Sequence, residues 1–262
     1  MRWIIGDIHG MLLPLQKLLD EIAKRDPKPK FMFCGDYVNR GPDSRGVVDL
    51  LLSLPDALFC RGNHDDTFNL LMTGRSFVPL LQVDVVTTFE HFLQYGLDQT
   101  LYSYGIDQDA LAKAARWPSP TVIRELLAPV PDAHRDFFDN LPGALHEPDF
   151  FVAHARWNPL VATDPRFFDN ELRHSPQARH DIIWGRFTSR ELLQSKRWDR
   201  PGFFGHTPVT MYRTTSPLLP VEADKVFLLD TGAAVNDEGR LTAWCFEESN
   251  YVQVERDGTL AL

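Results

Sequence analysis

Six times along the chain a short apolar, β-prone run stops abruptly at a cluster of small and polar residues. Trp3-Ile4-Ile5 leads into Gly6-Asp7-Ile8-His9-Gly10, Phe31-Met32-Phe33-Cys34 into Gly35-Asp36, and Ala57-Leu58-Phe59-Cys60 into Arg61-Gly62-Asn63-His64-Asp65. Further on, Phe150-Phe151-Val152-Ala153 precedes His154, Phe203-Phe204 precedes Gly205-His206-Thr207-Pro208, and Val226-Phe227-Leu228-Leu229 precedes Asp230-Thr231-Gly232. Runs that are apolar throughout, rather than alternating, predict strands buried on both faces. Open α/β sheets gather their sites at the carboxyl ends of such strands, so the polar clusters are expected on one rim.

Between the runs the period changes to that of a helix. Leu12, Leu15, Leu18, Leu19 and Ile22 form one stripe over Met11 to Arg25, and Asp43 to Leu54 reads similarly, with Asp43 or Ser44 as N-cap. From Asp65 to Asn140 no strong strand occurs, whereas Val85 to Tyr95, Asp109 to Trp117, Thr121 to Leu127 and Asp132 to Asn140 are amphipathic. The pattern predicts an α/β protein with one domain over residues 1–262 and a helical lid inserted at about 75–140. Alternation from Leu241 to Val254 predicts closing hairpin strands.

Composition narrows the function classes. The 262 residues are 44% hydrophobic and 24% charged, an ordinary globular balance, and no apolar run is long enough to span a bilayer. The amino terminus shows no basic segment followed by a long apolar one, so a cytoplasmic protein is expected. A net charge of −9 disfavours nucleic acid or an anionic membrane as partner, since phosphate backbones require clustered cations. It leaves room for a phosphorylated protein or a small phosphate ester held by a few local arginines. Cys34, Cys60 and Cys245 are odd in number, scattered and set in apolar runs, which fits buried core residues rather than a disulfide framework.

An isolated Asp-x-His, or one histidine after an apolar run, is more often structural than catalytic. The joint pattern is what points to chemistry. Asp7, His9, Asp36, Asn63, His154 and His206 are a set of oxygen and imidazole donors suited to two divalent ions, manganese foremost, with iron or zinc also compatible. Asp36 can bridge, because a carboxylate offers two oxygens with several lone pairs. Asp7 and His9 can meet the first ion from a single turn, and Asn63, His154 and His206 can complete the second. Two ions about 3.5–4 Å apart can clamp a phosphoryl group during in-line displacement.

The segments Gly6 to Gly10, Gly35-Asp36-Tyr37-Val38-Asn39-Arg40-Gly41 and Arg61 to Asp65 resemble the three signatures of the phosphoprotein phosphatase family within the calcineurin-like metallophosphoesterases. His154-Ala155, Trp184-Gly185-Arg186, Gly205 to Pro208 and Asp230 to Gly232 extend the likeness in order, and Phe92 to Gly105 resembles the bacterial and phage branch. The resemblance implies a mixed β-sandwich flanked by helices. It also implies Asp7, His9 and Asp36 on one ion, with Asp36, Asn63, His154 and His206 on the other. Arg40, Arg61 and Arg186 would grip phosphate oxygens, and His64 would protonate the leaving oxygen. Two positions depart from the family. Asn39 replaces an aspartate that charges the acid histidine, and can only accept a hydrogen bond from its ring. Asp65 stands for a glutamate, a change of one methylene. Asp230 either supports the ligands from behind or merely caps its own turn.

The resulting expectation is a phosphomonoesterase of the Ser/Thr protein phosphatase type, acting by direct attack of metal-bound hydroxide. The alternative is a symmetrical dinucleoside tetraphosphate hydrolase, whose better leaving group asks less of a histidine beside Asn39. A silenced phosphatase fold that only binds is disfavoured by the complete ligand set.

Overall fold

The computed structural model describes residues 1–79, 84–212, 218–235 and 237–261; the part of the expected insertion at 80–83 lies outside the described residues. In chain order its strands are β1 (Arg2–Ile5), β2 (Lys30–Phe33), β3 (Leu58–Phe59), β4 (Ala144–His146), β5 (Phe151–Ala153), β6 (Gly202–Phe204), β7 (Val221–Ala223), β8 (Val226–Leu228), β9 (Arg240–Cys245), β10 (Asn250–Glu255) and β11 (Leu260–Ala261). The helices are α1 (Leu12–Arg25), α2 (Ser44–Ser53), α3 (Asn63–Thr73), α4 (Val85–Leu93), α5 (Leu97–Ser103), α6 (Gln108–Arg116), α7 (Pro120–Leu126), α8 (Asp132–Asn140), α9 (Pro165–His174), α10 (Pro176–Trp184) and α11 (Ser189–Leu193).

Two mixed sheets stack. One has the order β11-β10-β9-β1-β2-β3, the other β4-β5-β6-β8-β7. The site-bearing strands run parallel within each sheet: β1 with β2 and β2 with β3, then β5 with β6 and β6 with β8. Antiparallel partners flank them, with β9 beside β1 and the hairpin β9–β10 outside it.

The continuous apolar runs follow from this layering, because successive side chains leave opposite faces of a strand. Trp3, Ile5, Phe31 and Phe33 enter a core shared with Leu15, Leu18 and Ile22 of α1 and with Val47, Val48 and Leu51 of α2. Their neighbours Ile4 and Met32 point the other way, into the layer between the sheets, where Val152 and Phe203 meet them. Phe151, Ala153 and Phe204 face outward from the second sheet onto Phe168 of α9, Ile182 and Ile183 of α10 and Leu192 of α11. All three cysteines are buried and free.

The helical segment after α3 packs into the body of the molecule. Phe89, Leu97, Leu101, Leu111, Ile123 and Phe138 belong to the same core as Trp3 and Ile5. It is therefore a wall of the molecule, and among its described residues the edge carrying His91, Phe92 and Tyr95 reaches the candidate pocket. Helix α5 has no clear apolar stripe in the sequence. It begins after Gly96, whose φ of 81° is left-handed, and a Cβ there would collide with the Arg40 backbone. No helix among the described residues is long and apolar enough to cross a membrane.

Phe203 is fully buried between the sheets and stacks on Phe227 at 4.6 Å. Phe203→Ala is expected to cost about 3–5 kcal/mol, because the cavity cannot collapse between two sheets. Urea unfolding with an unchanged slope measures it; a loss below about 1 kcal/mol would contradict the layered core.

Candidate metal centre

Each candidate ligand follows a strand end, and the strand ends of both sheets meet. Asp7 and His9 follow β1, Asp36 follows β2, Asn63 opens α3 after β3, His154 follows β5 and His206 follows β6. The turns that deliver them are left-handed at non-glycine residues: φ is 48° at His9, 57° at Asp36, 71° at Asn39, 69° at Arg40 and 66° at His206. Such backbone costs on the order of 1–3 kcal/mol per residue, so surrounding structure must impose it. Glycines give the carboxylates room. A Cβ on Gly62 would strike Asp36 Oδ1, and one on Gly205 would strike Asp7 Oδ1.

Asp36 is at the centre. Its Oδ2 lies 3.4 Å from His9 Nε2 and 3.4 Å from His154 Nε2, while Oδ1 accepts the His64 N–H at 2.9 Å. Asn63 Oδ1 lies 2.9 Å from both His154 Nε2 and His206 Nδ1. Donors that share an ion at about 2.1 Å stand roughly 3–3.5 Å apart, so these spacings suit ligands converging on common cations. Asp7 is 4.0 Å from His9 Nε2 and 4.0 Å from His154 Nδ1, and accepts the His206 N–H at 2.9 Å.

Ligand-type atoms fall within 4.8 Å of one another in two sets, His9–Asp36–His64 and Asp36–His154–His206, with Asp36 common to both.

The electrostatics also fit two cations. Among the described residues neither Asp7 nor Asp36 has a lysine or arginine within 4 Å; their close ionic neighbours are histidines. Burial pushes the Asp7 carboxyl well above the usual range, and Asp230 adds to the rise. Burial acts the same way on Asp36, but His154 and His64 outweigh it and hold the group well below. The His154 ring faces an acceptor on each side, the Cys34 carbonyl at 2.9 Å and Asn63 Oδ1. A neutral ring has one N–H for two acceptors, so Nε2 calls for a positive charge between itself and Asn63. Burial opposes a proton there, but Asp36 and Asp7 overcome it and raise His154 to about 10. A bound cation answers the same demand. The Cys34 carbonyl, like that of Val38 at 2.9 Å from His9 Nδ1, takes the far N–H and frees Nε2 to coordinate. Burial and Arg40 lower His9 to about 4, and burial and His154 lower His206 to about 3, so both rings are neutral and able to ligate.

A pocket opens onto these groups, lined by Arg40, His64, Phe92, Tyr95, Trp184 and Arg186 among others. Arg61 is not in it. Its guanidinium is buried and donates to the carbonyls of Leu141 and Asp139 and to Asp66, all at 3.0 Å. The expectation that Arg61 grips phosphate is corrected: it ties the start of α3 to the end of α8.

His64 is buried, which lowers its basicity well below the ordinary value against the opposing pull of Asp36. Its Nδ1 lies 2.8 Å from Asn39 Nδ2. The expectation that Asn39 accepts from the ring is therefore reversed, and Thr100 supplies the reason. The Thr100 hydroxyl accepts from the Asn39 backbone N–H at 2.8 Å and donates to Asn39 Oδ1 at 2.9 Å, leaving the amide nitrogen to face His64. With Nδ1 accepting, the ring proton resides on Nε2. Asp65 accepts from the N–H groups of Asp36, Tyr37 and Gly62 at 2.7, 2.9 and 2.9 Å, and so ties the second polar turn to the third. Asp230 accepts locally from the Gly232 N–H at 3.0 Å, the local cap, and its charge raises the Asp7 carboxyl. Thr100, Phe92, Tyr95 and Trp184 carry no ligand chemistry of their own, and their part in the site is visible only in three dimensions.

Arg40→Ala or Arg186→Ala is expected to lower kcat/KM by roughly 10–1000-fold. Arg61→Ala should instead lower stability by about 3–5 kcal/mol, since Asp66 loses its buried partner. Steady-state kinetics beside urea unfolding separates the two; an Arg61→Ala protein with intact stability and lost catalysis would contradict the assignment.

The family model of calcineurin-like phosphoesterases matches residues 2–210. A symmetrical bis(5'-nucleosyl)-tetraphosphatase from Pseudomonas fluorescens is 33% identical over 203 residues, which cover 74% of this chain and 64% of that protein. The match thus spans just under two thirds of that relative's length. A solved structure assigned provisionally as a diadenosine tetraphosphatase superposes with a TM-score of 0.56 at 19% identity, covering 97% of this chain and 92% of its own. A Saccharomyces cerevisiae protein serine/threonine phosphatase gives 0.50 at 17% identity, over 92% and 71%. At such identities the two structures speak for the fold. The family model takes in all six candidate ligand positions, and the chain belongs to the calcineurin-like phosphoesterases.

Proposed function

We propose that this chain hydrolyses symmetrical dinucleoside tetraphosphates at the central anhydride, with two divalent ions bound by Asp7, His9, Asp36, Asn63, His154 and His206. Manganese is the proposed metal. The observation that carries the substrate reading is the neutral amide of Asn39 at 2.8 Å from His64 Nδ1. A carboxylate at that position would stabilise a charged ring; an amide donating to Nδ1 leaves His64 a neutral donor through Nε2. A nucleoside diphosphate departs readily with such modest help, whereas a serine alkoxide needs a proton in the transition state. The similarity to the Pseudomonas fluorescens tetraphosphatase supports the same choice over the protein phosphatase first expected.

Bound divalent ions supply Lewis acidity and make water acidic enough to attack near neutral pH. The chain's own groups do the rest. Arg40 and Arg186 hold the phosphate oxygens on which transition-state charge spreads, by charge-assisted hydrogen bonds. His64 Nε2–H donates a hydrogen bond to the bridging oxygen as negative charge develops on it, and the diphosphate leaves as its anion. Phe92, Tyr95 and Trp184 shield the pocket and strengthen these interactions by keeping water away. The balance is one water consumed, one bridging P–O bond broken and two nucleoside diphosphates released.

Turnover of diadenosine tetraphosphate against a phosphoserine peptide, with manganese supplied, tests the reading. The tetraphosphate is expected to give the higher kcat/KM, and Asn39→Asp to narrow the gap by favouring the peptide. A peptide preference in the wild type, or an Asn39→Asp protein with the gap unmoved, would contradict it.

A further inference from the structure

A second cavity, of about 340 Å³, adjoins the phosphate pocket. His91, Phe92 and Trp184 line both, so these rings form the partition between them. Leu70 of α3, Thr87 of α4 and His180 of α10 line its far side. The volume lies within the roughly 300–1,000 Å³ usual for small-molecule sites. Among the described residues no lysine or arginine lines it, and the carboxylate that does, Asp66, is occupied by Arg61, Ser76 and the Phe77 N–H. Without a fixed cation in its lining, the chamber suits a neutral group better than a phosphate. Among the described residues, two buried nitrogens on its lining side chains, Trp184 Nε1 and His180 Nδ1, have no hydrogen-bond partner. An indole N–H left unpaired in a mostly apolar wall is a standing cost that an acceptor on a ligand would remove.

We propose that this cavity holds a nucleobase of the substrate, continuous with phosphates gripped by Arg40 and Arg186. A base is flat, neutral and rich in ring acceptors. It can lie against Trp184 and Phe92 and accept from Trp184 Nε1. This assignment deepens the reading of the site as a tetraphosphate hydrolase and rests on it for the identity of the phosphates. It makes the cavity an affinity and selectivity determinant, separate from the groups that perform the chemistry.

Calorimetric titration of manganese-loaded protein with ADP and with inorganic pyrophosphate tests the assignment. Thr87 is exposed and lines the chamber, so Thr87→Trp would fill it. Stacking of a base on aromatic rings is worth roughly tenfold or more in affinity. Thr87→Trp should therefore weaken ADP by at least about tenfold while pyrophosphate binding holds. Thr87→Met is a milder filling that reads the same way should the tryptophan prevent folding. Equal weakening of both ligands, or of neither, would overturn the assignment. Tetraphosphate turnover with ADP binding unmoved by Thr87→Trp would sink the cavity and spare the proposed function. Selective loss of ADP in a protein that does not turn over the tetraphosphate would do the reverse.

Discussion

Asp36 lies at the seam of two sheets, buried, on a left-handed backbone, with one carboxylate oxygen 3.4 Å from imidazole nitrogens on either side. Much of the rim can be read as a means of keeping it there. Gly62 is glycine because a side chain would occupy the place of Asp36 Oδ1. Asp65 takes the Asp36 and Tyr37 N–H groups, and the His64 N–H takes Oδ1. Two buried carboxylates without a lysine or arginine partner among the described residues would repel each other and resist ionisation. Cations between the two halves of the sandwich would resolve that conflict.

The helical segment matters to chemistry through one edge. Gly96 allows α5 to approach the Arg40 backbone, and Thr100 then fixes the amide of Asn39, which fixes the tautomer of His64. A helix packed against α2 thereby sets which side-chain atom of Asn39 faces a buried imidazole. Next to it, α4 supplies Phe92 and His91 to the wall shared by the phosphate pocket and the second cavity.

How much of this was legible in the sequence depends on the range of the interaction. Strands buried on both faces leave continuous apolar runs, and polar groups at their ends leave clusters such as Gly35-Asp36, so the strands and the rim where their ends gather could be read directly. The capping carboxylate of Asp43 and the stripe of α1 are equally local. Arg61 misled because its motif neighbours Asn63 and His64 do reach the site, while the two carbonyls that hold it beside Asp66, those of Leu141 and Asp139, lie some 80 residues away. Thr100 left no signal for the same reason: its partner Asn39 is 61 positions distant. The helices of the lid show their amphipathic stripes in the sequence, but such stripes do not announce which surface they cover. Phe89, Leu101 and Phe138 cover the main core.

The central claim is that Asp36 bridges two cations. Anomalous diffraction from crystals grown with manganese measures this directly. Two peaks about 3.5–4 Å apart are expected, one beside His9 and Asp7, the other beside Asn63, His154 and His206, with Asp36 between them. A single peak, or peaks that Asp36 does not touch, would contradict it.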